Sequence, residues 1–307
     1  MIIRDISTAP TGVPADSRGQ RPSIKGKAVS LTHILVVALI QGVTEFLPIS
    51  SHAHLILLPR MTGWCDQGLV VEIAVHVGTL AAVVVYFRRE SWGMLRGAAA
   101  LAAGRRSPEA RLFAFVILAS LPVGAAGYVL EEYLHLQLRS VALIGWATLG
   151  FGILLWVADR WFLTIRRIEH MDWRAALIIG LFQTLALVPG TSRSGITMTA
   201  ARLLGFERPE AARFSLLMSI PVILAAGTLA GIDLAREGSV RLTFEAALAA
   251  LLAFIAALLA IAAMMGWLRR ATFAPFVAYR IVLGAALLAA VYGFGIGAES
   301  VTAACPA

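Results

Sequence analysis

Six apolar runs constrain the fold of this chain more than any other feature of its sequence. They cover approximately residues 70–87, 112–130, 141–158, 214–235, 244–268 and 281–297. A helix needs about 20 mostly apolar residues to cross the hydrocarbon core of a bilayer. Only 14% of the residues are charged, against about 25% in ordinary soluble domains. The sequence therefore predicts an all-α, polytopic membrane protein.

A first polar cluster, residues 41–54, precedes these runs. If residues 31–47 are helical, Gln41 and Glu45 stand four residues apart on one face. Pro48 then ends the helix, because proline lacks an N–H group and disfavours helix in the residue before it. A carboxylate at membrane depth is costly, so Glu45 is a candidate functional residue.

A second, shorter helix is expected directly after this break. Ser50 or Ser51 is its candidate N-cap, and Ser51 and His54 would share one of its faces. A broken helix at membrane depth is tolerated only where protein or water surrounds it. The segment is therefore predicted to be a re-entrant loop that lines a polar cavity.

A second polar cluster, residues 189–197, also lies between apolar segments. Pro189 and Gly190 would end one half-helix, and Thr191 or Ser192 would cap the next, so that free N–H groups and a positive helix end face the cavity. Arg193 adds a planar fork of donors that matches a phosphate edge. The hydroxyl groups that complete the predicted phosphate site belong to Thr191, Ser192, Ser194 and Thr197.

The two halves of the chain resemble each other. Residues 40–51 match residues 182–192, with one residue's slip before the proline, and three apolar spans follow each polar cluster. An odd number of crossings gives the halves opposite orientations, which is the inverted-repeat architecture. We predict a tail, 1–30, and one membrane domain, 31–307, with repeat 1 at about 31–165 and repeat 2 at about 173–297.

Charge supports this topology in part. The loops 88–111, 158–174, 202–213 and 269–280 hold 16 arginines, whereas the loops on the other side hold four. The arginine-rich side is predicted to be cytoplasmic. The five basic residues of the tail then lie outside, which is unfavourable. In a rival topology residues 31–47 cross fully and the tail lies inside, but Glu45 and Pro48 suit a cavity better than lipid.

Other features exclude some classes of protein. The net charge of +8 comes from residues between apolar runs, without a basic face that would indicate nucleic-acid binding. Cys65 and Cys305 form neither a disulfide framework nor a metal-ligand spacing. No apolar segment of a cleavable signal peptide lies near Met1, and the tail is predicted to be mobile.

The two clusters resemble the motifs of a known family, the undecaprenyl-diphosphate phosphatases of the bacterial cytoplasmic membrane, of the bacitracin-resistance type. The matching residues are Gln41-x-x-x-Glu45, Pro48-Ile-Ser50-Ser51, His54 and Pro189-Gly190-Thr191-Ser192-Arg193-Ser194-Gly195-Ile196-Thr197. The likeness extends to residues 214–221 and 275–280. Many members have Glu at the position of Gln41, and His52 and Ala53 also depart from the usual pattern.

This resemblance implies hydrolysis of undecaprenyl diphosphate to the monophosphate and phosphate, which recycles the lipid carrier for cell-wall synthesis, in the inner membrane. It implies Glu45, Ser51, His54 and Arg193 as catalytic residues, with Ser51 the nucleophile and Ser50 its rival. A divalent cation, Mg²⁺ or Ca²⁺, would be held by Glu45 and Gln41.

The sequence leaves other assignments open. His54 would activate Ser51 or protonate the leaving group. Gln41 and Ser50 would contact phosphate. Tyr279 and Arg280 match the pattern of the family, but a role as helix anchors at the membrane interface explains them equally well. Because inverted repeats are typical of transporters, a transporter or flippase for a phosphorylated lipid or small anion is the competing hypothesis. A homodimer is compatible with the sequence but is not determined by it.

Overall fold

The computed structural model describes residues 31–64, 69–130, 140–162, 165–236 and 244–294. The tail and both cysteines lie outside these ranges. The secondary structure of the described residues is helical, apart from an isolated bridge between Arg166 and Phe206. The α-helices are α1 (Leu31–Thr44), α2 (Ser51–Thr62), α3 (Leu69–Tyr86), α4 (Arg88–Ala102), α5 (Pro108–Val129), α6 (Val141–Trp161), α7 (Trp173–Gln183), α8 (Arg193–Leu203), α9 (Arg208–Arg236), α10 (Phe244–Leu268) and α11 (Ala274–Phe294).

Six helices are long and apolar enough to cross a membrane, namely α3, α5, α6, α9, α10 and α11. They coincide with the six runs found in the sequence, so the prediction of a polytopic all-α protein is confirmed. Helices α9 and α11 begin about six residues before the predicted spans. Hydropathy marks the apolar part of a helix, whereas the helix itself continues into polar turns.

One helix, α4, was not predicted. The sequence predicts a charged loop over residues 88–111, but Arg88–Ala102 form a helix. Its buried residues are Ser91, Gly93, Met94 and Gly97. The helix contains Arg88, Arg89, Glu90 and Arg96, so it does not stand out as an apolar run of the kind that marks a membrane span.

Both predicted breaks are present. Helices α1 and α7 have 14 and 11 residues, fewer than the roughly 20 that a full crossing needs. Ser50 (φ 73°) and Ser192 (φ 68°) are the non-glycine residues with positive φ in the described part of the chain. Each caps the helix after its break, because its side chain accepts a hydrogen bond from the N–H of Ala53 or Gly195.

The caps correct the expected alignment of the two halves. Gln41 lies nine residues before Ser50, and Gln183 lies nine residues before Ser192. The segments therefore align without the one-residue slip that the prolines indicated. In this register Glu45, Ser51 and His54 correspond to Leu187, Arg193 and Ile196.

Helix packing brings the two short helices into the core. Helix α1 packs on α10 and α7 packs on α5, while α3 packs on α10 and α6 on α11. At the α3–α10 contact a Cβ atom on Gly78 would lie 2.1 Å from the carbonyl oxygen of Ala250, so only glycine permits this approach. Near the helix ends, the buried carboxylate of Asp159 accepts hydrogen bonds from Arg208 and from the N–H of Phe273 and lies 3.0 Å from Nε of Arg202.

Candidate active site

The two breaks contact each other, so the two polar clusters of the sequence form one site. Arg193 Nη2 donates to Glu45 Oε1 at 3.2 Å. Ser194 Oγ donates to the carbonyl oxygen of Leu47 at 3.0 Å. Glu45 and Arg193 are 148 residues apart in sequence, and the fold places an acid from the first break beside a cation from the second.

Glu45 is the centre of the site. Its Oε2 atom accepts a hydrogen bond from Ser51 Oγ at 2.7 Å and from Gln41 Nε2 at 3.0 Å. The Glu45 side chain is 9% exposed. Hydrogen bonds to a carboxylate are stronger than neutral ones. The Ser51 proton is thus directed at a base, as nucleophilic attack by a serine requires.

The structure decides which serine caps α2. Ser50 is buried, and its Oγ accepts from the N–H of Ala53 at 3.4 Å. Ser51 is the first residue of α2, and its hydroxyl is bonded to Glu45 instead of to the helix. The positive end of α2 lies at this residue and stabilises negative charge on the Ser51 oxygen.

His54 is held by partners other than Ser51. Its Nδ1 donates to the carbonyl oxygen of Ser50 at 2.7 Å. In the neutral ring Nε2 is then unprotonated and accepts from the hydroxyl of Tyr279, whose ring stacks on the imidazole at a centroid distance of 5.7 Å. Both ring nitrogens are therefore engaged, and Ser51 relies on Glu45 as its proton acceptor in this state.

The first residues of α8 form the other wall of the site. The Ser192 hydroxyl accepts from the N–H of Gly195 at 3.2 Å and also contacts Ser194. Thr197 Oγ1 bonds to Ser215 Oγ at 2.6 Å and to the carbonyl of Arg193. These hydroxyl groups hold the break together in the free protein, and phosphate binding by them stays a prediction. Thr191 Oγ1 is buried without a hydrogen-bond partner.

Arg280 connects the two breaks, a role the sequence analysis did not assign to it. The side chain is fully buried and donates to the carbonyl oxygens of Pro48 and Gly190 at 3.3 and 3.2 Å, and to two carbonyls of α6. Pro48 and Gly190 each stand two residues before a capping serine. An arginine inside an apolar span is itself a signal of function, but its partners lie far away in sequence.

The oxygen atoms around Glu45 fit a hard divalent cation. Gln41 is fully buried, and its Oε1 has no hydrogen-bond partner, while its Nε2 bonds to Glu45. No group of three or more His, Cys, Asp and Glu side chains suited to a metal occurs in the described ranges. Mg²⁺ is usually bound by one or two carboxylates together with substrate phosphates. The residues present fit this mode and not a cage built by protein alone.

Comparison with known proteins finds a family model and relatives that match most of this chain. The model of the family "Bacitracin resistance protein BacA" matches residues 34–286. "Undecaprenyl-diphosphatase 1" of Rhodospirillum rubrum is 53% identical over 85% of this chain and 95% of its own length. "Undecaprenyl-diphosphatase" of Ruegeria pomeroyi is 50% identical over 86% and 100%. "Undecaprenyl-diphosphatase 2" of Stutzerimonas stutzeri is 49% identical over 85% and 98%. The matched region contains both breaks.

Proposed function

The chain belongs to the family of the bacitracin resistance protein BacA, and we propose that its hydrolysis of undecaprenyl diphosphate takes place where the two helix breaks meet. The product is undecaprenyl phosphate, the lipid carrier used in cell-wall synthesis, together with inorganic phosphate. The names of the relatives support this activity and do not favour a transporter or flippase. One observation supports the location most directly: Glu45 accepts hydrogen bonds both from Ser51 of its own break and from Arg193 of the other.

Ser51 attacks the terminal phosphorus of the diphosphate in this proposal. Its proton passes to Glu45, a bond forms between Ser51 Oγ and phosphorus, and the bond from phosphorus to the bridging oxygen breaks. Undecaprenyl phosphate leaves with that oxygen. Glu45 gives the first proton to solvent, and water then attacks the phosphoserine. Glu45 accepts a proton from this water and returns it to Ser51 Oγ as the bond from phosphorus to Oγ breaks and phosphate is released. Hydrogen-bond donors at the two helix N-termini stabilise the charge that spreads over the transferred group.

Arg193 and His54 take separate tasks. Arg193 exchanges its bond to Glu45 for the phosphate oxygens, which a guanidinium binds through two parallel donors. His54 protonates the departing phosphate oxygen in its imidazolium form, in which Nε2 has taken up a proton from solvent and the bond from the Tyr279 hydroxyl is broken. Nδ1 stays bonded to the carbonyl of Ser50, so the ring keeps its orientation in both forms.

A divalent cation, Mg²⁺ or Ca²⁺, is part of the proposal. Gln41 Oε1 and the Glu45 carboxylate would hold it together with the phosphates of the substrate. The cation would neutralise charge on the diphosphate and on the leaving group. Gln41 contributes a neutral oxygen, so the site carries one negative charge fewer than a site with two glutamates.

Trapping of phosphate tests the role of Ser51. With substrate labelled at the terminal phosphate and rapid acid quench, we expect label on Ser51 in the wild type and none in Ser51→Ala. Turnover of Ser51→Ala should fall by roughly 10³-fold or more, because the nucleophile and its hydrogen bond to Glu45 are both lost. Ser50→Ala is the matched control, since Ser50 caps the helix; it should lower stability by about 1 kcal/mol and still trap label.

If the wild type turned over substrate normally and no label appeared on the protein, water would attack the diphosphate directly and Ser51 would not be the nucleophile. Release of no phosphate at all by the purified protein in detergent would instead contradict the phosphatase function itself.

The inverted repeat is the arrangement we propose for the membrane. The two breaks have the same spacing from glutamine to capping serine, and Arg280 bonds to equivalent carbonyls in both. In this repeat α1 corresponds to α7, and α5 corresponds to α10. The contact of α1 with α10 then has its counterpart in the contact of α7 with α5. Because three spans follow each break, the halves have opposite orientations in the inner membrane, and the short helices α1 and α7 are re-entrant. A homodimer stays a prediction.

Labelling of single cysteines tests this topology. In a protein whose Cys65 and Cys305 are replaced by serine, Ala103→Cys and Arg269→Cys should be shielded in intact cells from a reagent that does not cross the membrane. Thr62→Cys and Phe244→Cys should react, because they lie on the side with few arginines. Permeabilised cells, in which all four should react, provide the control. The reverse pattern would refute the proposed orientation.

A further inference from the structure

Helix α4 lies outside both breaks and connects two candidate spans. Helix α3 ends at Tyr86 and α5 begins at Pro108. If both cross the bilayer, the connection between them lies at one membrane surface. One face of α4 packs on α5, and the residues of the opposite face are exposed.

Close packing fixes which face of α4 points outward. A Cβ atom on Gly97 would lie 2.4 Å from the carbonyl oxygen of Glu109. Ser91, Gly93 and Met94 are buried on the same side. A rotation of α4 about its axis would drive larger side chains into the backbone of α5, so the orientation is determined by the glycine.

The acidic and basic residues of α4 are separated by this orientation. Glu90 is the only acid in the helix, and its Oε1 accepts from Arg213 of α9 at 2.8 Å. Arg88, Arg89 and Arg96 are exposed. Glu109 of α5 is near enough to Arg96 to act on it electrostatically. The outward face thus carries a net positive charge.

Large apolar side chains lie between these arginines. Trp92 is 61% exposed and Leu95 is 64% exposed. Trp is typical of the layer in which lipid headgroups meet acyl chains, and a basic helix with apolar residues at this depth binds anionic membrane surfaces. The exposed pair Arg105 and Arg106, just after the helix, extends the positive surface.

We propose that the outward face of α4 binds the headgroups of anionic phospholipids in the adjoining leaflet. The arginines bind lipid phosphate groups, while Trp92 and Leu95 enter the acyl region beneath them. Charge complementarity selects the occupant, since a zwitterionic headgroup carries a compensating cation and an anionic one does not. The phosphates are those of bulk lipid and not of the substrate in the cavity.

Site-specific quenching tests this proposal. In a background with Cys65→Ser and Cys305→Ser, Leu95→Cys carries a fluorophore, and the protein is reconstituted with brominated phosphatidylglycerol or brominated phosphatidylcholine. We expect the anionic lipid to quench preferentially. Each arginine near the membrane surface increases the affinity for anionic lipid relative to zwitterionic lipid by roughly fivefold. The preference should therefore fall by about tenfold or more in Arg88→Gln/Arg89→Gln/Arg96→Gln, and it should weaken with salt in the unmodified helix.

A matched variant separates this site from a general effect of charge. Arg174→Gln/Arg269→Gln/Arg270→Gln also removes three exposed arginines, outside α4, and should keep the preference. An equal loss in both variants would overturn the proposal, and so would a salt-independent preference in the wild type. Both variants should hydrolyse substrate normally in detergent. A loss of hydrolysis confined to the α4 variant would show that the helix recruits substrate, which would also contradict binding of bulk lipid.

Discussion

Glu45→Gln should abolish release of phosphate from undecaprenyl diphosphate in a protein that still inserts and folds. Glutamine keeps the shape of the side chain but removes its charge, its basicity and its capacity to accept from Ser51, Gln41 and Arg193 together. A general base contributes roughly 10²–10⁴-fold. Since the variant also loses the proposed cation ligand, we expect turnover to fall by at least about 10³-fold, measured as phosphate release in detergent.

Glu90→Gln is the matched control for this loss. Glu90 is also partly buried and paired with an arginine, at 2.8 Å, but it lies on α4 away from the breaks. Both variants lose an ion pair and should lose stability to a similar degree, whereas only Glu45→Gln should lose activity. Near-normal turnover by Glu45→Gln would remove Glu45 from the mechanism.

Arg193→Lys should reduce turnover by about 10²–10³-fold. Arginines that act on transferred phosphoryl groups are worth roughly 10³–10⁵-fold in rate, and lysine retains the charge but not the two parallel donors of a guanidinium. The variant should fold, because an ammonium group can also pair with Glu45. KM should change less than kcat, since the prenyl tail partitions into the bilayer at about 0.8 kcal/mol per buried CH₂ group.

Arg213→Lys provides the comparison for this second variant. Arg213 also pairs with glutamates, Glu90 and Glu210. Its side chain is partly buried like that of Arg193, with exposed fractions of 28% and 16%. Steady-state kinetics should show normal kcat for Arg213→Lys. If Arg193→Lys kept a near wild-type kcat and showed only a raised KM, Arg193 would bind the ground state and would not act on the transition state.

Glu45→Gln and Arg193→Lys each change one partner of the same ion pair. In the free protein the two charges compensate each other inside the site. In the proposed mechanism Arg193 moves to the phosphate, while Glu45 keeps its bond to Ser51 and binds the cation in place of Arg193. Residues that act as a unit have strongly non-additive effects, so neither loss measures an independent contribution.

The sequence by itself determined the class of fold and supplied the candidate residues of the site. Runs of about 20 apolar residues leave few alternatives to membrane-spanning helices, because the backbone must satisfy its hydrogen bonds internally in lipid. Pro48 and the Pro189-Gly190 pair located both breaks. The cost of charge at membrane depth made Glu45 a candidate functional residue, and the planar donors of Arg193 made it a candidate phosphate ligand, before their contact was known.

Only the tertiary structure decided which groups are partners. The bonds of His54 to Tyr279, of Arg280 to Pro48 and Gly190, and of Ser51 to Glu45 depend on distances that local periodicity does not encode. The register of the repeat was likewise set by the positive φ angles of Ser50 and Ser192 and not by the prolines. Helix α4 escaped prediction because its four charged residues suggested a loop between two spans. Sequence patterns reflect the free energy of placing each residue type in lipid, in a helix or at a break. A site depends on contacts between distant segments, which only the packing of the helices brings together.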